Sequence, residues 1–259
     1  MSRVGEQSVS KRTIVTHVGS LFSLLLTLLS AVPGKGSEPV PAAATGLLEA
    51  IDATGNTVAL PTPPERLARL IELGNVRFEF YDPKVAKRSS AGETRFEFHY
   101  TYKSHSDWKL IRRGGHYAID ISIRYRDVQL QRTHRVLLPQ TLFAENLFER
   151  GLTLHEFDHV AISSDERLPA LLRSVLQKKN ASIVKILDEQ EGQAHAEPTP
   201  AALSRISERL VQEASDKVFN DFVALVTIRY SELDRVSQSG LKPMSPEDRY
   251  RIVESPLTP

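Results

Sequence analysis

Phe148, Leu152, His155, His159 and Ile162 follow one another at steps of four and three, a period that only a helix turns into a single stripe. Such a stripe is buried against something, so the rest of the chain must supply a surface for it. The two histidines interrupt that face. A buried imidazole needs partners for both ring nitrogens, and residues four apart on a helix stand one turn above each other. Within the stripe the sequence reads His155-Glu156-Phe157-Asp158-His159, the HExxH pattern. Two imidazoles so placed can grip one zinc ion, with the intervening Glu156 as base for a water molecule. The competing assignment is a pair of core histidines bonded to backbone carbonyls or carboxylates. Asp158 lies about 100° round the helix from His159 and is expected to face solvent.

The surface to pack on comes from three alternating segments. Val76, Phe78 and Phe80 share one face of a strand, as do Phe96, Phe98, Tyr100 and Tyr102, and then Ile119, Ile121, Ile123 and Tyr125. Period-two alternation of this kind predicts antiparallel strands with one buried side. Arg-Phe-Glu-Phe occurs at Arg77 and again at Arg95, which predicts two similar strands. Tyr100, Tyr102 and Trp108 are assigned to the core and not to a groove. The stretch from Val128 to Leu138 predicts a further strand, taken as an edge to which an extended peptide could pair.

From Thr141 the period becomes helical, with a second helical stretch over Leu168–Leu187. Thr199-Pro200 then opens a long helix as N-cap and first helical residue, expected to reach Ser237 and stop at Gly240. The expected fold is α+β: a small antiparallel sheet, then the HExxH helix, then a long C-terminal helix. Residues 65–240 make the domain, 34–64 a flexible spacer rich in Pro, Gly, Ala and Thr, and 241–259 a weakly ordered tail.

Charge and cysteine usage narrow the chemistry. Lys and Arg number 33 against 32 acidic residues, a net charge of +1 that gives no reason to expect nucleic acid. The chain has no cysteine, so any metal must be held by nitrogen and oxygen. At the N-terminus, Arg3, Lys11 and Arg12 precede an apolar run from Val18 to Val32. A basic flank before a short apolar core predicts a signal peptide over residues 1–33, with a retained membrane anchor as the alternative. Either way the domain is expected to be exported, periplasmic or secreted.

Three segments carry a resemblance to a known family: Ile119 to Tyr125, Thr133 to Pro139, and Leu152 to Ile162 with its HExxH. They resemble the bacterial predicted secreted zinc-dependent proteases, a zincin-like family of otherwise unknown function. The resemblance extends to Tyr230-Ser-Glu-Leu-Asp234-Arg-Val-Ser237-Gln-Ser239-Gly240. It implies His155 and His159 as Zn2+ ligands and Glu156 as catalytic base of an exported metallopeptidase, hydrolysing peptide bonds through a metal-activated water. A peptide or protein is the implied partner, and Tyr230 an implied oxyanion donor. Family members end the long helix with Tyr-Asp followed by Thr-x-His-Gly. Aligning Asp234 and Gly240 with that element puts Ser237 at the threonine and Ser239 at the histidine. That departure motivates an alternative, a non-catalytic secreted or membrane-tethered binding protein on the same scaffold.

Catalytic zinc usually takes three protein ligands, and the spacing leaves the third open. Asp165 and Glu166 sit too far along an unbroken helix from His159. Glu189, Glu191, Glu208, Glu213 and His134 remain candidates among which the sequence does not choose.

Overall fold

The computed structural model describes residues 3–17, 48–86, 91–113, 115–187 and 198–258. The apolar run at 18–32, the first part of the proposed spacer, Glu189 and Glu191 lie outside the described residues. Among the described residues no helix is long and apolar enough to cross a membrane.

The architecture is α+β around a seven-stranded sheet. In chain order its strands are β1 (Arg3–His17), β2 (Glu49–Ile51), β3 (Thr57–Ala59), β4 (Val76–Tyr81), β5 (Glu93–Arg113), β6 (His116–Pro139) and β7 (Ser182–Ile186). They lie in the order β1-β5-β6-β4-β2-β3, with β7 also paired to β6. The β5–β6 hairpin forms the spine. The three alternating segments are strands, as expected, but the sheet is mixed: β4 runs parallel to β6, and β2 parallel to β4. The two Arg-Phe-Glu-Phe strands lie on opposite sides of β6, with Arg77 and Arg95 both in register with Arg135. That row of like charges is neutralised locally, because Arg135 donates to Glu79 at 2.8 and 2.7 Å and Arg95 to Glu93 at 2.6 and 3.1 Å.

Several expectations change. The stretch Val128–Leu138 belongs to the central strand β6; from His134 onward it is paired on both sides, so it is not an edge. The second helical stretch ends at Lys179, and the β-branched run Ser182–Ile186 pairs with β6 instead. The later part of the spacer forms the β2–β3 hairpin. The tail also folds. Its short helix Pro246–Arg249 runs into one π-turn, Tyr250–Glu254, that buries Ile252 and Val253.

Four longer helices cover the sheet: α1 (Glu65–Gly74), α2 (Gly151–Ser163), α3 (Leu168–Lys179) and α4 (Pro200–Ser237). The start of α4 follows the sequence signal, with Thr199 accepting from the Ala202 amide at 3.3 Å. At 38 residues it is about 57 Å long, enough to cross the sheet and still reach α2. Its apolar stripe packs on the inward residues of β5 and β6, among them Phe96, Phe98, Tyr100, Tyr102 and Trp108, all core as expected. A second core lies under α1 between β4, β6 and α2, built on Phe78, Phe80, Val136, Phe148 and Phe157. Helix α2 runs between the two cores: Ile162 belongs to the first, Phe157 and Val160 to the second. A helix walled in on so many sides exposes little of itself, and every residue from His155 to Val160 is buried.

Candidate metal centre

The HExxH residues lie in the middle of α2, with His155 and His159 one turn apart and their ring centroids 4.7 Å from each other. Facing them is Asp234, from the last turn of α4. Its Oδ1 lies 3.1 Å from His155 Nε2 and 3.0 Å from His159 Nε2. The three side chains form the one group among the described residues with metal-holding geometry. The histidines are 5% and 4% exposed, so the pair is closed off from solvent except on the side of Asp234.

Hydrogen-bond accounting shows how this trio could take a cation. Ser237, three residues beyond Asp234 on α4, accepts from the Gly240 amide at 3.2 Å and lies 2.8 Å from the Leu233 carbonyl and 3.2 Å from His155 Nδ1. Its one proton serves one of the latter two. Given to Nδ1, it leaves Nε2–H of His155 to donate to Asp234. Given to Leu233, it leaves the proton on Nδ1, and in the neutral ring Nε2 is a bare lone pair aimed at a carboxylate oxygen. In that tautomer two acceptors at 3.1 Å repel each other unless a positive charge sits between them. An added proton meets that need, and so does a metal ion. Ligands about 2.0–2.2 Å from a tetrahedral zinc stand roughly 3.3 Å from one another. The measured 3.0 and 3.1 Å are within a few tenths of that. The donor set of two nitrogens and one oxygen is also one that zinc accepts.

The electrostatics agree. Burial pushes the His155 ring down, but the bond it donates to Asp234 when protonated and the charges of Glu156, Asp234 and Asp158 outweigh it and raise its pKa. Burial pushes Asp234 up, yet the bonds and charges of the two histidines hold it far below the ordinary carboxylate range. Glu156 is lifted above that range by burial, against the pull of His159 and His155. Its Oε2 accepts from Thr94 Oγ1 at 2.7 Å.

The turn after α4 closes the site from one side. Gln238, Ser239 and Gly240 all have positive φ, at 52°, 53° and 80°. The last of them lies flat on His155, where an added Cβ would come within 3.0 Å of the ring. Asp158, expected in solvent, is buried on the other side of α2 and receives both Arg249 nitrogens, at 2.8 and 2.5 Å. The folded tail thus supplies the counter-charge for the unusual acid within the motif.

The other proposed ligands are elsewhere. His134 is fully buried but bonded to the Gly74 carbonyl at 2.5 Å and to Ser163 Oγ at 2.6 Å. Asp165 is held by Arg167, Glu166 pairs with Arg69 on the surface, and Glu208 and Glu213 are exposed. Tyr230 is not placed to serve an oxyanion. It is fully buried, its hydroxyl is 2.6 Å from Ser163 Oγ, and its ring packs on His159 at 4.3 Å. Asp234 belongs to the family-like element, where nothing in the local sequence marks it as a ligand. The signal that identifies it is periodic: Phe222, Val226, Tyr230, Asp234 and Ser237 continue one stripe of α4, so an acid falls where the stripe is buried.

No family model matches the chain, and no curated protein and no solved structure matches it significantly.

Proposed function

We propose that this chain is a zinc-dependent metallopeptidase of zincin type, with His155, His159 and Asp234 as ligands and Glu156 as general base. The observation that carries the reading is the shared Asp234 Oδ1, which holds both imidazoles of an HExxH helix around one point. Bound there, zinc would supply Lewis acidity toward a peptide carbonyl and acidify water. The protein's own part is positional. Asp234 contributes the negative charge of the ligand set, and Ser237 Oγ, 3.2 Å from His155 Nδ1, is placed to accept from it in the tautomer that leaves Nε2 to ligate. Glu156, one residue from His155 and lifted by burial toward neutrality, is suited to take a proton from water and pass it to the leaving amine. The apolar run at 18–32 supports action outside the cytoplasm, on a peptide or protein, although Arg3, Lys11 and Arg12 before it belong to β1, and the motif segments resemble the secreted zinc-dependent proteases.

The near-complete burial of Glu156, 2% exposed, favours a second reading, a binding protein that keeps the metal without turnover. Purified wild type should contain one zinc per chain, and His155→Ala, His159→Ala and Asp234→Ala much less. Equal metal in all four would refute the site. Glu156→Gln should keep zinc and lose hydrolysis of an unstructured protein such as casein; a zinc-loaded wild type that cuts nothing favours the second reading.

A further inference from the structure

We infer that Thr94 is a positioning residue for Glu156, acting with the empty space at Gly92 to hold the carboxylate on the β5 side of α2. The inference rests on the reading of Glu156 as the base. Gly92 immediately precedes β5 and Thr94 is its second residue, and both face Glu156 of α2. Both are buried against it.

The two positions do opposite things to one carboxylate. Thr94 Oγ1 lies 2.7 Å from Glu156 Oε2 and 3.2 Å from the Glu156 backbone oxygen. A hydroxyl has one proton, and the shorter contact to the ionisable oxygen takes it. At Gly92 the constraint is steric. A Cβ there would stand 2.4 Å from Oε1 and 3.1 Å from Cδ of Glu156, and 3.1 Å from Leu152 Cδ1. Only glycine leaves room for the second oxygen. The carboxylate is thus wedged between helix and strand, with Oε2 bonded to Thr94 and Oε1 packed against Gly92. Glu156 adjoins His155 in the chain, yet its carboxylate, bonded to Thr94, is not among the side chains grouped closely enough to hold a metal. Held on the strand, it stays a base and does not become a further ligand or counter-ion.

The test uses the zinc-loaded full chain and acetohydroxamic acid, a small chelator that must give up a proton as it binds a metal. Thr94→Val should retain one zinc per chain and bind acetohydroxamic acid roughly 10-fold more weakly, approaching Glu156→Gln. Thr94→Ser, which keeps the hydroxyl, should restore affinity to within about threefold of wild type. Where peptide hydrolysis is measured, the loss in Thr94→Val should fall on kcat, roughly 10- to 100-fold, with KM little changed. Gly92→Ala approaches from the other side and serves if Thr94→Val does not fold. It should keep zinc and lose the same hydroxamate affinity. Unchanged hydroxamate affinity in zinc-loaded Thr94→Val or Gly92→Ala overturns the inference, as does a Thr94→Ser variant no better than valine. A wild type that takes up no zinc overturns the metal reading itself, and is distinguished by appearing before any variant is compared.

Discussion

Two kinds of buried histidine stand about a helix apart in this molecule. His134 on β6 has what a neutral imidazole needs. The Gly74 carbonyl can only accept, so Nδ1 carries the proton, and Nε2 then accepts from Ser163, leaving Tyr230 to donate to Ser163. Each direction in that chain is determined. His155 and His159 share one carboxylate oxygen, and His159 Nδ1 has no partner at all among the described residues. Burial is the same in the two places; what differs is whether each ring nitrogen is matched to a complementary group. His134 is satisfied at both nitrogens, whereas the pair around Asp234 leaves His159 Nδ1 without a partner and shares one oxygen in a geometry that could hold a metal ion.

The comparison breaks most visibly at Asp234. Asp234→Ala removes the shared oxygen, so zinc affinity should fall roughly a hundred- to a thousandfold, as expected when one of a few ligands is lost from a site worth ~10–16 kcal/mol. Tyr230→Phe, which keeps the ring on His159 and removes only the hydroxyl, and His134→Gln should leave zinc stoichiometry at wild-type level. Competition against a chelator of known affinity measures all three. Equal affinity in Asp234→Ala and wild type would erase the distinction.

In the metal-free protein His134 and His155 should titrate with opposite sign. Burial, against the Gly74 bond, holds His134 down to about 4 from 6.5. Between those values the unfolded chain binds more protons, so this stabilisation is present above about 6.5 and lost as pH falls toward 4, about 3 kcal/mol in all. His155 is raised above its ordinary value. Its contribution is present below the unfolded pKa and is lost as pH rises through the folded one. Urea unfolding of chelator-treated protein across this range should show His134→Gln flattening the acid limb and His155→Gln flattening the decline at higher pH. If both substitutions change the same limb, the two environments are not different in kind.

These contrasts mark what could be read in the sequence. Alternation located β4, β5 and β6, and the Thr-Pro signal located the start of α4, because each is a local pattern with a local cause. The stripe through His155 and His159 gave the buried face of α2. Missing was what lies across from that face. Asp234, Ser237 and Arg249 sit 75 to 91 residues away from their partners, and spacing along one helix carries no information about another. Strand direction was lost for a similar reason: alternation reports which side is buried but not whether the neighbour runs parallel. The tail misled through its prolines. Its order depends on Ile252 and Val253 entering the core and on Arg229 donating to the carbonyls of Arg251, Ile252 and Pro256.

Asp158 extends the comparison from histidines to a buried acid whose need is met. Arg249 is one-third exposed, so the pair falls short of a fully buried bridge. Arg249→Met should cost about 2 kcal/mol, below the ~3–5 expected on breaking a fully buried pair. Adding Asp158→Asn should recover most of it, since the uncompensated charge is then gone. A double variant as unstable as the single would mean that Arg249 acts through packing alone.

The smallest effect tests how closely the turn after α4 holds the ligand ring. Gly240 and Gly55 both have positive φ, 80° and 88°, so alanine at either carries the left-handed penalty of about 1–2 kcal/mol. They differ in surroundings. A Cβ at Gly55 meets nothing within 4 Å, whereas at Gly240 it presses on Cβ, Cγ and Cδ2 of His155 at 3.0 Å. Backbone strain should therefore cancel between Gly240→Ala and Gly55→Ala, leaving only the push on the imidazole. The two variants should lose similar stability once metal is removed, while Gly240→Ala alone should weaken zinc binding, by a few-fold if the ring yields a few tenths of an ångström. Equal zinc affinity in the two would mean that His155 is held by Ser237 and Asp234 without help from the turn.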